Sequence, residues 1–304
     1  MTLSFQTRFE QLGDLRYAVH EAGPAEATPM LLLHGLMDTG TSFAALAEQI
    51  ERRLPGSFRF IAPDWRGHGA SDAIADTYWF PEYLVDLDRL LDRLQPSNAD
   101  TTEPVVLVGH SMGGQIAAQY AGVRPECVSH LVILDSLNVP DADVEKAPER
   151  YRRWLDAKDR PTAERSYDDT QAIAARIGKR YPELSRKQLH DIAERWSETV
   201  DGGPQRRMRH DPWHRVTFPY GFRADEAMAI WRQTTAAVLC IDAADSFMRH
   251  VTDAEAMTRR RACFTRVHHV VVEDSGHMIH IQQPERLAEE ISAFVRPAST
   301  ANSD

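Results

Sequence analysis

The sequence is short of several things, and each shortage closes off a class of protein. It has only three cysteines in 304 residues, Cys127, Cys240 and Cys263. They are odd in number, scattered and without metal-ligand spacing, so neither a disulfide framework nor a cysteine metal site is expected. Cys127 and Cys240 sit beside or within apolar runs and read as buried thiols. Basic residues are outnumbered, 35 Lys and Arg against 45 Asp and Glu, leaving a net charge of -10. That balance argues against nucleic acid or an anionic membrane as the main partner. No apolar run has the length of a membrane span. The first residues, Met1-Thr2-Leu3-Ser4-Phe5-Gln6, lack a basic region followed by an apolar stretch and a small-residue cleavage site, so a cytoplasmic location is expected. There are no internal repeats, and no glycine-rich phosphate loop stands between a strand and a helix. No nucleotide or other cofactor is therefore implied.

What remains is an alternation of short apolar runs with longer helical patterns, the signature of a mostly parallel sheet covered by helices. Strands are expected at Leu15 to Glu21, Met30 to Leu33, Phe58 to Ala62, Val105 to Val108, Leu131 to Leu134, Ala237 to Ile241 and His268 to Val272. Most are uninterrupted Val/Ile/Leu-type runs, as strands buried on both faces require. Helical patterns lie between them at Ser42 to Arg53, Tyr83 to Leu94, Gly113 to Gly122 and Pro284 to Val295. The rhythm breaks in a charged stretch with helical patterns at Pro148 to Leu155, Asp169 to Lys179 and Ser185 to Val200, and with no convincing strand. The organisation read from this is a sheet domain over 1–136 and 232–296, a helical insertion over 137–231, and a small polar tail, 297–304, that frays.

The chemistry concentrates at Val105-Val106-Leu107-Val108-Gly109-His110-Ser111-Met112-Gly113-Gly114. A buried strand runs into Gly-x-Ser-x-Gly and a small-residue helix follows at once. Such a turn lifts a serine hydroxyl out of a strained backbone, and the glycines leave room for it. The helix start offers free N–H groups and a positive dipole end to a developing oxyanion. A helix-capping serine in a glycine turn would be the plainer reading of the motif alone. Downstream, Val270-Val271-Val272-Glu273-Asp274-Ser275-Gly276-His277 sets a histidine in a loop just past a strand, where its pKa near neutrality suits proton transfer in both directions. His280, three residues on, reads as a packing or hydrogen-bonding residue.

These segments resemble the α/β-hydrolase superfamily from about Phe5 to Phe294. The likeness is carried by Leu31 to Asp38 with its His34-Gly35 pair, by Ala62 to Asp72, by the Ser111 turn and by Asp274 to His277. Within it, His34 to Thr39 and Asp76 to Pro81 look most like bacterial relatives of serine hydrolase-like proteins. The resemblance implies an α/β-hydrolase fold with a helical cap, a Ser111 nucleophile, a His277 base and an oxyanion hole of the Leu36 and Met112 N–H groups. His34, Asp64, Arg66 and His68 read as structural.

The acid is where the chain departs from the pattern. The family's usual acid follows the strand that corresponds to Val238 to Ile241, commonly after a glycine, but the chain reads Asp242-Ala243-Ala244-Asp245-Ser246. Asp245 is the preferred carboxylate. Asp135, just past the strand Leu131 to Leu134, is the alternative, because orienting an imidazole needs position rather than chain order.

Other constellations are weaker. His210 and His214 are an i, i+4 pair, but Pro212 breaks the helix that would align them, so no metal site is expected. Arg259-Arg260-Arg261 reads as a solvated helix face. Trp79, Phe80 and Trp213 are the aromatics expected to line an apolar pocket for a small-molecule substrate. The function that follows is hydrolysis of an ester, thioester or lactone through an acyl-enzyme. Alternatives are carbon–carbon bond hydrolysis, cofactor-free oxygenation or lyase chemistry at the same site, and, outside enzymes, a binding scaffold.

Overall fold

The computed structural model describes residues 3–74, 76, 78–94, 103–158, 165–216 and 218–296. The expected tail, 297–304, lies outside these described residues.

The strands are β1 Gln6–Leu12, β2 Leu15–Ala22, β3 Thr28–Leu33, β4 Phe58–Pro63, β5 Val105–His110 and β6 Val128–Leu134. Then come β7 Ser166–Tyr167, β8 Ser197–Thr199, β9 Arg206–Met208, β10 Ala237–Ala243 and β11 Val267–Val272. Eight of them form one sheet in the order β1-β2-β4-β3-β5-β6-β10-β11. Pairing is antiparallel from β1 through β2 to β4 and parallel across the rest. Strand β1 is absent from the sequence reading for a physical reason. It is an edge strand with little to bury, Gln-Thr-Arg-Phe-Glu-Gln-Leu, and only Leu12 is fully covered.

The helices are α1 Ala44–Arg53, α2 Phe80–Leu94, α3 Met112–Val123, α4 Ala147–Lys158, α5 Thr170–Arg180, α6 Arg186–Arg195, α7 Ala224–Trp231, α8 Ala254–Arg261, α9 Ile279–Gln282 and α10 Pro284–Val295. Alternate strand residues feed two cores. Leu31, Leu33, Leu107, Leu131 and Ile133 pack on the side of α2, α3 and α7. Met30, Leu32, Val106, Val108, Val132 and Leu134 pack on the side of α1 and α10. Both faces being covered, period-2 alternation disappears from the central strands, which is why they read as plain apolar runs. Cys240 is buried, Cys127 is partly buried, and all three thiols are free. Among the described residues, no helix is long and apolar enough to cross a membrane.

The chain turns from β3 to β4 on one side and reaches β5 on the other, which opens a crevice at the carboxyl ends of β3 and β5. The loops carrying His34, Ser111, Asp135 and His277 all leave the sheet at that end.

The insertion differs from its expected outline in two ways. It contains a three-stranded sheet, β7-β9-β8, whose members are only two or three residues long. Strands that short carry no readable alternation. Its own core gathers Tyr167, Ile173, Ile177, Ile192 and Trp196 from α5, α6 and the small sheet, together with Met278 of the sheet domain. Helix α7, placed with the insertion by the sequence reading, instead packs on α3. A Cβ at Gly122 would stand 2.2 Å from the Ile230 carbonyl, and Trp231 is wholly buried in the main core. The return to the sheet domain thus comes near residue 224, one helix earlier than expected.

Candidate active site

Ser111 sits between β5 and α3 with φ +51° and ψ -119°, a backbone conformation rare for a residue with a side chain. Its surroundings enforce it. A Cβ on Gly109 would lie 2.4 Å from Gly113 O, and one on Gly113 would lie 2.1 Å from Leu33 O. The Ser111 N–H bonds Leu134 O at 3.1 Å, and its carbonyl accepts Ser136 Oγ at 2.6 Å and the N–H of Gly114 at 3.0 Å. The turn is therefore tied to β6 as well as to its own helix.

His277 Nε2 lies 3.0 Å from Ser111 Oγ, and its Nδ1 lies 2.6 Å from Asp135 Oδ2. A carboxylate can only accept, so Nδ1 carries the proton and Nε2 turns its lone pair to the serine hydroxyl. The carboxylate meeting the imidazole is thus Asp135, the alternative of the sequence reading, and not the preferred Asp245. Asp245 is exposed, and its backbone N–H bonds Ser275 O at 2.9 Å. Asp242 turns to Arg261 and His269, at 3.1 and 2.8 Å. Asp135 is 1% exposed, and Ser246 Oγ also donates to its Oδ2, at 2.5 Å. The reason for the switch is local. Asp135 closes β6 at φ +44°, with its N–H on Ile241 O, which aims its side chain along the sheet end toward His277. The altered loop after β10 instead supplies Ser246, a donor to that carboxylate.

The loop after β3 closes over the serine. A Cβ on Gly35 would lie 3.1 Å from Ser111 Cβ, so the two turns touch. His34 shapes this loop: its Nε2 accepts the Trp65 N–H at 2.9 Å and its Nδ1 donates to Gly35 O at 2.8 Å. His68 Nε2 accepts the Met37 N–H at 3.1 Å. Burial lowers the pKa of both rings, holding them neutral as this bonding requires. Asp64 accepts the N–H groups of Gly40 and Ala70, and Arg66 is bound to Asp86 and Glu82. Leu36 is exposed at the mouth, and Met112 opens α3. Their N–H groups stand on the two turns that flank Ser111.

Among the described residues, none of the expected pocket aromatics makes a ring contact with His277. Trp79 is half exposed and stacks on Phe218 at 6.2 Å, while Phe80 and Trp213 pack on the main core. The ring beside His277 is Phe247, at 5.0 Å, in the short turn after β10. A cavity of about 480 Å³ between α7 and α8, lined by Asp141, Asp225, Met228, Asp253 and Arg260, is separate from these groups. Arg260 is buried and donates to Leu137 O and Val139 O, so the arginine run is not a wholly solvated face.

His210 and His214 do not converge on a common ligand position. His214 stacks on Tyr78 at 3.6 Å and lies beside His68, while both ring nitrogens of His210 are buried without partners. One other group, Asp38, His110 and His280, brings potential ligand atoms within 4.8 Å of one another among the described residues. The Asp38 oxygens there are already taken by Thr39 N, Ser42 Oγ, Trp196 Nε1 and His280 Nε2. The donor set fits a hydrogen-bonded anion better than a metal ligand.

Residues 30–290 match the model of the alpha/beta hydrolase family. The chain is 27% identical to a serine hydrolase-like protein of Danio rerio, covering 94% of this chain and 86% of the relative. It is 31% identical to a 3-hydroxybutyrate-oligomer hydrolase of Cupriavidus necator, covering 94% and 95%. A 2-(acetamidomethylene)succinate hydrolase of Mesorhizobium japonicum is 26% identical, covering 96% and 95%. Among solved structures, the thioesterase domain from the curacin biosynthetic pathway superposes with a TM-score of 0.80 at 22% identity, covering 95% of this chain and 99% of that one.

Proposed function

The chain belongs to the alpha/beta hydrolase family and is a hydrolase, and from that premise we propose that it cleaves a carboxylic ester, thioester or lactone of a small, largely apolar compound through an acyl-enzyme on Ser111. The observation that carries this reading is the continuous line Ser111 Oγ–His277–Asp135, at 3.0 and 2.6 Å.

Ser111 Oγ attacks the substrate carbonyl as His277 Nε2 takes its proton. Asp135 stabilises the resulting imidazolium and holds its tautomer. The N–H groups of Met112 and Leu36 receive the oxyanion, one from the start of α3 and one from the loop that touches Ser111 Cβ. His277 returns the proton to the leaving group, and a water activated by the same imidazole then releases the acid. Phe247 and Leu36 supply apolar surface beside the reacting carbonyl, and the insertion acts as a lid. The relative named for hydrolysing 3-hydroxybutyrate oligomers supports this reading.

Labelling with a fluorophosphonate tests it, with Ser111→Ala as the control. The wild-type protein is expected to label and the variant not to. A folded wild-type protein that stays unlabelled would remove the proposal. p-Nitrophenyl esters of increasing chain length then measure the pocket; labelling without turnover of any of them would favour carbon–carbon or lyase chemistry.

A further inference from the structure

Asp38 lies beside the site, yet the reaction just described does not use it. It is 2% exposed and accepts four hydrogen bonds from three parts of the chain. Thr39 N–H and Ser42 Oγ, both at 2.8 Å, come from the turn after β3. Trp196 Nε1, at 2.6 Å, comes from the end of α6 in the insertion, and His280 Nε2, at 3.3 Å, comes from α9. Burying a carboxylate is costly, and apolar packing would hold three elements together as well. What the carboxylate adds is direction, because each donor must point at it.

One of those donors belongs to the turn of the base. His280 is three residues beyond His277, and its ring lies 4.4 Å from His110. His110 precedes the nucleophile and donates from Nε2 to the His277 carbonyl at 2.7 Å. The imidazole of His277 is thus held by Ser111 and Asp135, its carbonyl by His110, and the turn that follows by Asp38 through His280. We propose that Asp38 is a positioning residue that couples the seating of the insertion, through Trp196, to the placement of His277. With the insertion seated, Trp196 completes the donor shell and His280 is held in line. With it lifted, the carboxylate loses a donor and gains water, and the turn of the base loosens. The base is then fully set only under a closed cap, which limits reaction in the open, wet site.

This inference rests on the hydrolytic reading of the same site. Its test uses Asp38→Asn, Trp196→Phe and the double variant. The readouts are the rate of fluorophosphonate labelling, and kcat and KM for a short p-nitrophenyl ester. Each single variant is expected to lower the labelling rate and kcat by about tenfold, leaving KM within about twofold, because both side chains are buried and act through His280. The double variant is expected to be no worse than the worse single one, since both changes break the same link. Folded variants that label at the wild-type rate, losses confined to KM, or losses that multiply in the double variant would each overturn the proposal. If Asp38→Asn does not fold, Trp196→Phe, which keeps an aromatic ring, decides it by labelling rate alone. A wild-type protein that does not label refutes the hydrolytic reading first, and this inference with it.

Discussion

Replacing Asp135 by Asn separates the two carboxylates that compete for the imidazole, and the structure sets the size of the effect. Asn is among the residues that tolerate the left-handed backbone, so φ +44° at this position is no obstacle. The amide then has two ways to sit. With its oxygen in place of Oδ2 it still accepts from His277 and Ser246, but its NH2 group faces the Ala243 N–H, which now bonds Oδ1 at 3.4 Å. The tautomer survives and the charge is lost, a change of about 1.5–3 kcal/mol for a charge-assisted bond, or roughly 10- to 150-fold in rate. With the NH2 group in place of Oδ2, it donates to Nδ1 and drives the proton to Nε2, which then cannot accept from Ser111. That outcome costs about 10⁴-fold in serine triads. The expected fall in kcat is therefore between about 10- and 10⁴-fold, read in steady-state turnover of a p-nitrophenyl ester. Asp245→Asn should stay within about twofold of wild type, since Asp245 is exposed and its bond to Ser275 is made by the backbone. Near-normal turnover in Asp135→Asn, with a large loss in Asp245→Asn, would refute this assignment.

Three further outcomes follow from the packing. Gly113→Ala should give little folded protein, because its Cβ would meet backbone oxygens at 2.1 and 2.7 Å that cannot move aside; expression and circular dichroism check this. Trp231→Ala should cost about 3–5 kcal/mol in urea unfolding, as expected for a large core side chain rather than a lid residue. Stability should also fall in mild acid. Burial first, then Arg215, lowers His210 from its ordinary 6.5 to about 4, and burial first, then His210, lowers His214 to about 3. The unfolded chain takes up these protons near pH 6.5 while the folded chain refuses them. The stabilisation is thus complete above that pH and is lost as the pH falls toward the folded values, by about 1.4 kcal/mol per unit for each ring. Urea midpoints between about pH 6 and pH 4 measure the slope; His34, His68 and His110, also lowered by burial, add to it, so His210→Leu should remove only about one ring's share, roughly 1.4 kcal/mol per unit.

The parallel sheet was legible because its central strands are buried on both faces, and the Ser111 turn because glycine is required at two positions around it. The edge strand β1 was not, since its solvated faces leave no apolar pattern. Nor were β7 to β9, which are too short to show a period. Asp135 was not the preferred carboxylate because one after either β6 or β10 can reach the same imidazole. Choosing between them depends on the left-handed turn at Asp135 and on the Ser246 hydroxyl, and neither is written in local composition. His110 was in plain view inside the motif, but its tie to the His277 carbonyl spans 167 residues. Asp38 likewise gains its meaning from Trp196, 158 residues away. Pairings of that kind arise only when the chain has folded.

The insertion leaves and rejoins the sheet domain at neighbouring points. Ala142 N–H bonds Phe222 O at 2.8 Å, and Ala224 N–H bonds the Asp141 carboxylate at 2.9 Å, so the outgoing and returning strands of chain run side by side. Everything between them is a detour that starts and ends in the same place. A detour of this kind can be exchanged for another of different length without disturbing the order of strands beneath it, much as a tool head is changed on a fixed handle. The handle does impose terms on any replacement. It must cover Met278, which is buried within the insertion's own core, and offer Asp38 a donor where Trp196 now stands. Chimaeras that graft a related cap onto this sheet should fold and take on the donor's substrate range when those two contacts are kept.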